Sequence, residues 1–203
     1  MVDLCVFDLG GVILPFDHRK IASRLAKRSP IPEERIFSML FDGETGLINA
    51  YEEGHISSFE FFLLLRQTLR IEASFEEFTD AWNQIFEEDG KVVEILHRLK
   101  DRGKALFLLS NTNELHFSHL IASYPVLHLF DEWILSFEVG ARKPKREIFE
   151  KIFQKSHLLP HRTLYVDDLS ENVLAASSLG IKAHLFSGAE NLELFLEEQG
   201  VLP

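Results

Sequence analysis

The chain has very little cysteine, no long apolar run and no excess of positive charge. Its single cysteine, Cys5, cannot form an internal disulfide, which excludes a disulfide-held extracellular domain. No uninterrupted apolar stretch reaches the roughly 20 residues that a membrane-spanning helix needs. With 21 basic and 32 acidic residues, the net charge of -11 repels nucleic acid and anionic membranes. We therefore expect a soluble, cytoplasmic protein with no nucleic-acid or membrane partner.

Apolar residues, by contrast, are numerous enough for a substantial core. They make up 46% of the 203 residues, which suits one core domain carrying a modest insertion. The first residues, MVDLCVFD, lack the basic region and the long apolar stretch of a signal peptide. We expect the protein to fold alone, as a monomer or a homodimer.

From residue 91 onward, strand and helix patterns alternate along the chain. Short apolar runs predict strands at 104–110, 132–136, 163–168 and 182–186. Helical periodicity predicts helices between them, at 91–103, 113–123, 145–156 and 171–180. This alternation implies an α/β fold with a doubly wound, mostly parallel sheet, to which the apolar run before Asp8 also belongs.

Residues 16–88 depart from this alternation, because their pattern is helical throughout. Two capping boxes mark helix starts there, namely Ser57 with Glu60 and Ser74 with Glu77. Aromatic and aliphatic residues at helical spacing follow the second box and predict packing between helices. We therefore predict a core domain made of residues 1–15 and 89–203 and a helical insertion at 16–88.

Polar residues stand at the carboxyl ends of the predicted strands, where a doubly wound sheet places its ligand site. The residues found there, with one from a loop before a helix, are Asp8, Ser110, Asn111, Lys143, Asp167 and Asp168. Carboxylates, a hydroxyl and a cation suit phosphoryl transfer, in which positioning and charge neutralisation supply most of the catalysis. Each residue alone has an ordinary structural explanation, so it is their joint occurrence that indicates a site.

Four motifs carry a resemblance to a known family. FDLGGV, LLSNTN, RKP and VDD follow one another in the order and at the separations typical of the haloacid dehalogenase superfamily. The resemblance spans nearly the whole chain, and the helical insertion resembles the C1 cap of that superfamily. The segments DLGGVI, GHIS, SNTNELH, GARKP and DDLSEN are similar to those of bacterial α-D-glucose-1-phosphate phosphatases. This implies a Mg²⁺-dependent phosphatase of small phosphate esters, with a hexose 1-phosphate as the leading substrate.

The resemblance also implies a nucleophile and a set of metal ligands. Asp8 would attack phosphorus and form an aspartyl-phosphate. Mg²⁺ would bind the carboxylates of Asp8 and Asp168 and the backbone carbonyl of Gly10. Asp167 would hold a metal-bound water or orient the site.

Further residues would hold the phosphoryl group or support the site. Ser110 and the amide of Asn111 would donate hydrogen bonds to phosphoryl oxygens, and Lys143 would neutralise charge shared with Asp8. Arg142 is a candidate contact to phosphate or sugar. Supporting roles are expected for Glu171 and Asn172. The pair His116 and His119 is better explained as a polar helix surface than as metal ligands, although His116 matches a subgroup motif and is a candidate to face the crevice.

Gly10 stands where most phosphatases of the superfamily carry an aspartate as acid–base catalyst, a contribution of about 10²–10⁴ in rate. One interpretation is a phosphatase whose anomeric leaving oxygen needs little protonation, or whose acid comes from elsewhere. Asp17 is the candidate for that acid, with a helix N-cap as its alternative explanation, and His18 is a second candidate. Another interpretation is a 2-haloacid dehalogenase, which also lacks the second aspartate but has no use for metal-binding acids. The last is a non-catalytic protein that binds phosphate or a phosphosugar, or that holds a phosphorylated Asp8 as a signal.

Overall fold

A computed structural model describes residues 2–42 and 46–203, so Met1 and residues 43–45 of the predicted domains lie outside it. Five parallel strands form one sheet in the order β3-β2-β1-β4-β5. The strands are β1 (Leu4–Phe7), β2 (Ala105–Ser110), β3 (Glu132–Leu135), β4 (Thr163–Asp167) and β5 (Lys182–Leu185). The predicted doubly wound α/β fold is confirmed, and every strand pair of this sheet is parallel.

Helices cover both faces of the sheet. After β1 and the inserted helices these are α6 (Gly90–Asp101), α7 (Glu114–Ser123), α8 (Ser136–Val139), α9 (Arg146–Ser156), α10 (Ser170–Ser178) and α11 (Ala189–Glu198). Alternate residues of β1 face opposite sides, as strand geometry requires. Cys5 and Phe7 pack with α6, α7 and α11, whereas Leu4 and Val6 pack with α9 and α10. The side chain of Asn113 caps α7 by accepting a hydrogen bond from the His116 amide at 3.0 Å.

Between β1 and α6 the described residues form five helices, which we call the cap. They are α1 (Arg19–Ala26), α2 (Glu33–Phe41), α3 (Leu47–Glu52), α4 (Ser58–Leu69) and α5 (Phe75–Asn83). Both predicted capping boxes are present, at the starts of α4 and α5. The cap has its own cluster of buried side chains, in which Phe61 packs edge-on against Trp82. Its limits at residues 16 and 88 stay a prediction.

The cap lies against α7 and α8, beside the carboxyl ends of the strands. The hydroxyl of Tyr51 accepts a hydrogen bond from the Leu115 amide at 3.1 Å. Gly54 has φ +69, and a Cβ there would lie 2.2 Å from the carbonyl oxygen of Phe137. A side chain at position 54 would therefore push the cap away from the core. None of the helices in the described part of the chain combines the length and apolarity needed to cross a membrane.

Candidate active site

The residues predicted at the strand ends meet around one buried lysine. The ammonium of Lys143 lies 2.7 Å from Oδ1 of Asp8 and 2.8 Å from Oδ2 of Asp167. Asp8 directly follows β1, Asp167 ends β4, and the loop before α9 supplies Lys143. The Lys143 side chain is 1% exposed, so its charge is compensated by these two carboxylates rather than by solvent.

A cavity of about 240 Å³ opens beside this lysine. Its lining includes seven of the residues predicted for the site, namely Asp8, Gly10, Ser110, Asn111, Arg142, Lys143 and Asp168. Asp167 lies behind the lining and is fully buried. The structure thus brings the predicted core residues to one place.

Asp167 holds Lys143 from its buried position behind the cavity lining. Its carboxylate accepts hydrogen bonds from the Leu169 amide at 2.8 Å, from Asn172 Nδ2 at 3.0 Å and from the Tyr165 hydroxyl. Burial alone would raise the pKa of Asp167, but Lys143 and these hydrogen bonds outweigh burial and lower it. Because its oxygens are occupied, Asp167 is better suited to hold Lys143 than to bind a metal directly. The supporting role expected for Asn172 agrees with this contact.

Asp8 and Asp168 are the carboxylates with open oxygen positions. Oδ1 of Asp8 accepts a hydrogen bond from the Leu9 amide at 2.6 Å and faces Lys143, so neither contact occupies Oδ2 of this cavity-lining residue. Burial raises the pKa of Asp8 to about 7, although Lys143 opposes the shift. Burial and the charge of Asp167 raise the pKa of Asp168. Among residues 2–42 and 46–203, no side-chain partner of Asp168 is found.

The carboxylates suit a divalent cation. Ligand atoms of Asp8, Asp167 and Asp168 lie within 4.8 Å of one another. These three acids face a single ammonium group, so the cluster carries excess negative charge when ionised. Oxygen donors of this kind are the ligands that Mg²⁺ prefers in proteins. The donor set therefore fits the predicted metal, with Asp8 and Asp168 as the side chains free to bind it.

Gly10 and Gly11 are each held to glycine by a different neighbouring side chain. Gly11 has φ +77, and a Cβ there would lie 2.3 Å from Oδ2 of Asp168. Only glycine permits this approach of the backbone to the carboxylate. A Cβ on Gly10 would lie 2.6 Å from Cε1 of Phe16. The ring of Phe16 thus stands where an acid–base side chain at position 10 would begin.

The side chain of Asn111 holds the lysine loop. Its Nδ2 donates to the carbonyl of Lys143 at 3.0 Å, and its Oδ1 accepts from the Lys143 amide at 2.7 Å. Ser110 is buried at the end of β2 and lines the cavity. Arg142 lies toward the cap, where it meets Glu52, rather than beside Asp8. The phosphate contacts predicted for Ser110 and for the Asn111 amide stay predictions.

Several residues differ from expectation. Asp17 is exposed and lies outside the cavity lining, and its Oδ1 accepts a hydrogen bond from the Arg19 amide at 2.9 Å. Asp17 thus bonds to the first residue of α1, whose N-cap residue is His18. Glu171 is exposed on α10 and does not line the cavity.

The prediction that His116 lies on a polar helix surface was wrong. His116 is buried in the cavity wall and stacks on Trp82, with ring centroids 5.3 Å apart. Burial lowers the pKa of His116 to about 3.

The cap contributes cavity residues that the sequence did not single out. Glu52, Phe16 and Phe86 line the same cavity. His18, the second candidate for the missing acid, also lines it and stacks on Phe41 with ring centroids 4.2 Å apart. Burial lowers the pKa of His18 to about 4, so the ring is neutral at pH 7. The one sequence signal near Glu52 was the adjoining GHIS segment. It contributed to the resemblance to glucose-1-phosphate phosphatases but did not indicate that the Glu52 side chain would reach the cavity.

With this site defined, comparison with known proteins identifies the family. Residues 2–180 match the model of haloacid dehalogenase-like hydrolases. This chain belongs to the haloacid dehalogenase-like hydrolase family. A D-ribitol-5-phosphate phosphatase of Bacteroides thetaiotaomicron is 31% identical over 189 residues, which cover 90% of each chain.

Solved structures of this hydrolase family agree with the fold. A family enzyme of Bacteroides thetaiotaomicron, in complex with magnesium and inorganic phosphate, has a TM-score of 0.80 at 26% identity over 92% of this chain and 95% of its own. A predicted hydrolase of Porphyromonas gingivalis has a TM-score of 0.83 at 26% identity over 98% of both chains. With these relatives and this site, the chain is a hydrolase of phosphoric monoesters, as the sequence predicted.

Proposed function

We propose that this hydrolase is a Mg²⁺-dependent phosphatase of a phosphorylated sugar or polyol and that it acts through phosphorylated Asp8. The arrangement of Asp8, Lys143 and Asp167 carries the proposal. Lys143 holds Oδ1 of Asp8, and Asp8 lines the cavity. A carboxylate held in this way is oriented for attack on a phosphorus atom in the cavity.

Each residue of the site has a defined task in this reaction. Oδ2 of Asp8 forms the new bond to phosphorus while the ester oxygen leaves. Lys143 offsets the charge of Asp8 and of the phosphoryl group, and Asp167 positions that lysine. Ser110 donates to a phosphoryl oxygen. Asp8 and Asp168, with the carbonyl of Gly10, would hold Mg²⁺, which supplies charge neutralisation for the phosphoryl oxygens. Water then hydrolyses the aspartyl-phosphate and restores Asp8.

The substrate class is supported by two observations. The relative that shares 31% identity is named for D-ribitol 5-phosphate, a phosphorylated polyol. The sequence segments that resemble glucose-1-phosphate phosphatases favour α-D-glucose 1-phosphate. Only the second ester has an anomeric leaving oxygen that departs readily without an acid at position 10. A dehalogenase needs no metal ion, so the cluster of carboxylates that could bind one favours the phosphatase.

The test is phosphate release from both esters, with and without Mg²⁺, by the wild type and by Asp8→Asn. We expect metal-dependent release that Asp8→Asn lowers by at least about 10⁴-fold, because the nucleophile is gone while the shape of the site is kept. Release that survives the substitution would contradict the role of Asp8. No release, together with phosphate found on Asp8 by mass spectrometry, would favour the signalling alternative. Chloride release from 2-chloropropionate without metal would favour the dehalogenase.

A further inference from the structure

The cap end of the cavity contains a charged pair that the phosphoryl chemistry does not use. Glu52, the last residue of α3, places Oε2 2.8 Å from Nε of Arg142 in the loop before α9. The Glu52 side chain is 16% exposed and that of Arg142 is 27% exposed. Both line the cavity that contains Asp8, and both also line a neighbouring cavity of about 190 Å³ toward α2 and α3. The pair therefore joins cap to core in the wall of the site.

This pair has unused capacity for hydrogen bonds. Oε2 of Glu52 and Nε of Arg142 lie 2.8 Å apart and are buried against each other, so contact with a ligand falls to the other oxygen and nitrogen atoms of these two cavity-lining groups. Nη1 of Arg142 donates to Oδ1 of Asn49. A guanidinium group carries five donors and a carboxylate about four acceptor positions. A hydroxyl group, which both donates and accepts, complements such a pair.

The charge of the pair restricts the chemical class of its ligand. Glu52 balances Arg142, just as Asp8 and Asp167 balance Lys143. A leaving group with its own carboxylate or second phosphate would meet the Glu52 carboxylate. A hydrocarbon would cover both charges without replacing their contacts to water, which is costly. A neutral, hydroxylated group meets neither penalty.

The position of the pair matches the part of a substrate beyond its phosphate. Arg142 directly precedes Lys143, so their Cα atoms lie about 3.8 Å apart along the chain. The ammonium of Lys143 marks the phosphate end, through its contact with Asp8. A short carbon chain esterified to that phosphate therefore extends toward Arg142 and the cap. Phe16 and Phe86 form the apolar part of the wall there, as in many small-molecule sites with few orienting polar groups.

We propose that Glu52 and Arg142 bind hydroxyl groups of the leaving group and so select a neutral, polyhydroxylated phosphate ester. The inference rests on the proposed phosphatase function and extends it to Glu52, the cap residue that would determine substrate specificity. In this arrangement the core recognises phosphate, and Glu52 of the cap recognises what the phosphate is attached to.

The first test changes the substrate and leaves the protein as it is. D-ribitol 5-phosphate and n-pentyl phosphate share a five-carbon chain and a phosphate, but only the former carries free hydroxyls. We expect the wild type to prefer the ribitol ester by at least about 100-fold in kcat/KM, because sites that bind hydroxyls reject analogues lacking them. Equal kcat/KM values, or a preference for the pentyl ester, would overturn the proposal.

The second test assigns that preference to Glu52. Glu52→Gln keeps the side-chain size and removes its charge, and we expect it to lower the preference for the ribitol ester at least tenfold, roughly the value of one lost polar contact. Glu53→Gln is the matched control, because the neighbouring Glu53 carboxylate pairs with Lys145 across the same junction. That control should keep the wild-type preference. An equal loss of rate on both esters in Glu52→Gln, or an equal change in the two variants, would show a role in cap closure and overturn the proposal.

Two measurements keep the tests decisive. If Glu52→Gln does not fold, Arg142→Lys is measured in the same way, since it keeps the charge but loses the planar donor group. If the wild type hydrolyses neither ester, release from α-D-glucose 1-phosphate decides the proposed function, and calorimetric binding of the two esters to the wild type decides the inference separately. Tighter binding of the ribitol ester would support the hydroxyl-binding pair, and equal binding of both esters would overturn it.

Discussion

The two ends of the cavity are built in different ways. At the phosphate end, Asp8, Lys143 and Asp167 come from the sheet and its loops, and their buried charges contact one another. At the cap end, Glu52 and Arg142 come from separate parts of the fold, pair with each other and remain partly exposed in the cavity wall. A closed network suits one chemical step on one group, whereas an open pair can be matched to different leaving groups. The chemistry is therefore set by the core and the selection by the cap.

The largest expected effect comes from breaking the phosphate end. Lys143→Met removes an ammonium that touches two carboxylates while keeping much of the side-chain length. We expect kcat/KM to fall by about 10²–10³, the usual cost of losing one group that stabilises charge in the transition state. The variant should also unfold more readily, because two buried carboxylates lose their partner. Initial rates and thermal unfolding measure the two effects.

The matched control for that variant is Lys145→Met, two residues along the same loop. Lys145 pairs with Glu53, but its side chain is 54% exposed. Exposed ion pairs contribute about 0–1 kcal/mol, so both activity and stability should stay close to the wild type. Equal losses in the two variants would mean that the loop conformation, and not the buried ammonium, controls the rate.

A smaller effect distinguishes the two glycines that follow Asp8. In Gly11→Ala the new methyl would lie 2.3 Å from Oδ2 of Asp168, at a backbone φ of +77. We expect kcat/KM to fall about 10–100-fold, because a misplaced site residue of this kind commonly costs up to about 10² in rate. The Mg²⁺ concentration needed for half-maximal activity should rise, because the displaced Asp168 binds the ion less well. Titration of activity with Mg²⁺ measures both.

Gly10→Ala is the comparison for this variant. Its methyl would meet the Phe16 ring at 2.6 Å, and that side chain is 41% exposed and free to turn outward. A smaller loss than in Gly11→Ala is therefore expected. If Gly10→Ala proved the more damaging change, the Phe16 ring would be a fixed part of the site and not a replaceable filler.

The same contrast explains how much the sequence predicts. Strand ends of a parallel sheet meet at one edge, so Asp8, Ser110 and Asp167 follow from the positions of the strands alone. Glu52 and Phe16 reach the cavity only because the cap helices pack at a particular angle over the sheet, which no local pattern specifies. The ring of Phe16 beside Gly10 depends on that same packing. Asp17 shows the opposite case, since this residue is close in sequence to the site but is exposed and lies outside the cavity lining.

The smallest effect concerns stability at the cap end, where His116 is enclosed by Trp82 and Phe86. Burial lowers its pKa from 6.5 to about 3, so the unfolded chain binds this proton more readily than the folded one. The stability that depends on neutral His116 is complete well above pH 6.5 and is lost as the pH falls through 6.5 toward 3. Between pH 6.5 and 5 the loss should be about 1.6 kcal/mol.

Chemical unfolding of the wild type and His116→Phe at these two pH values isolates this contribution. The phenylalanine keeps a ring in the aromatic stack but does not titrate, so this variant should lose about 1.6 kcal/mol less than the wild type on acidification. His119→Phe, on the same helix, is the control for replacing a histidine of α7 and should follow the wild type. If all three proteins lost stability equally, His116 would accept a proton without leaving its place. The cap end would then tolerate a charge there, in contrast to the closed network around Lys143.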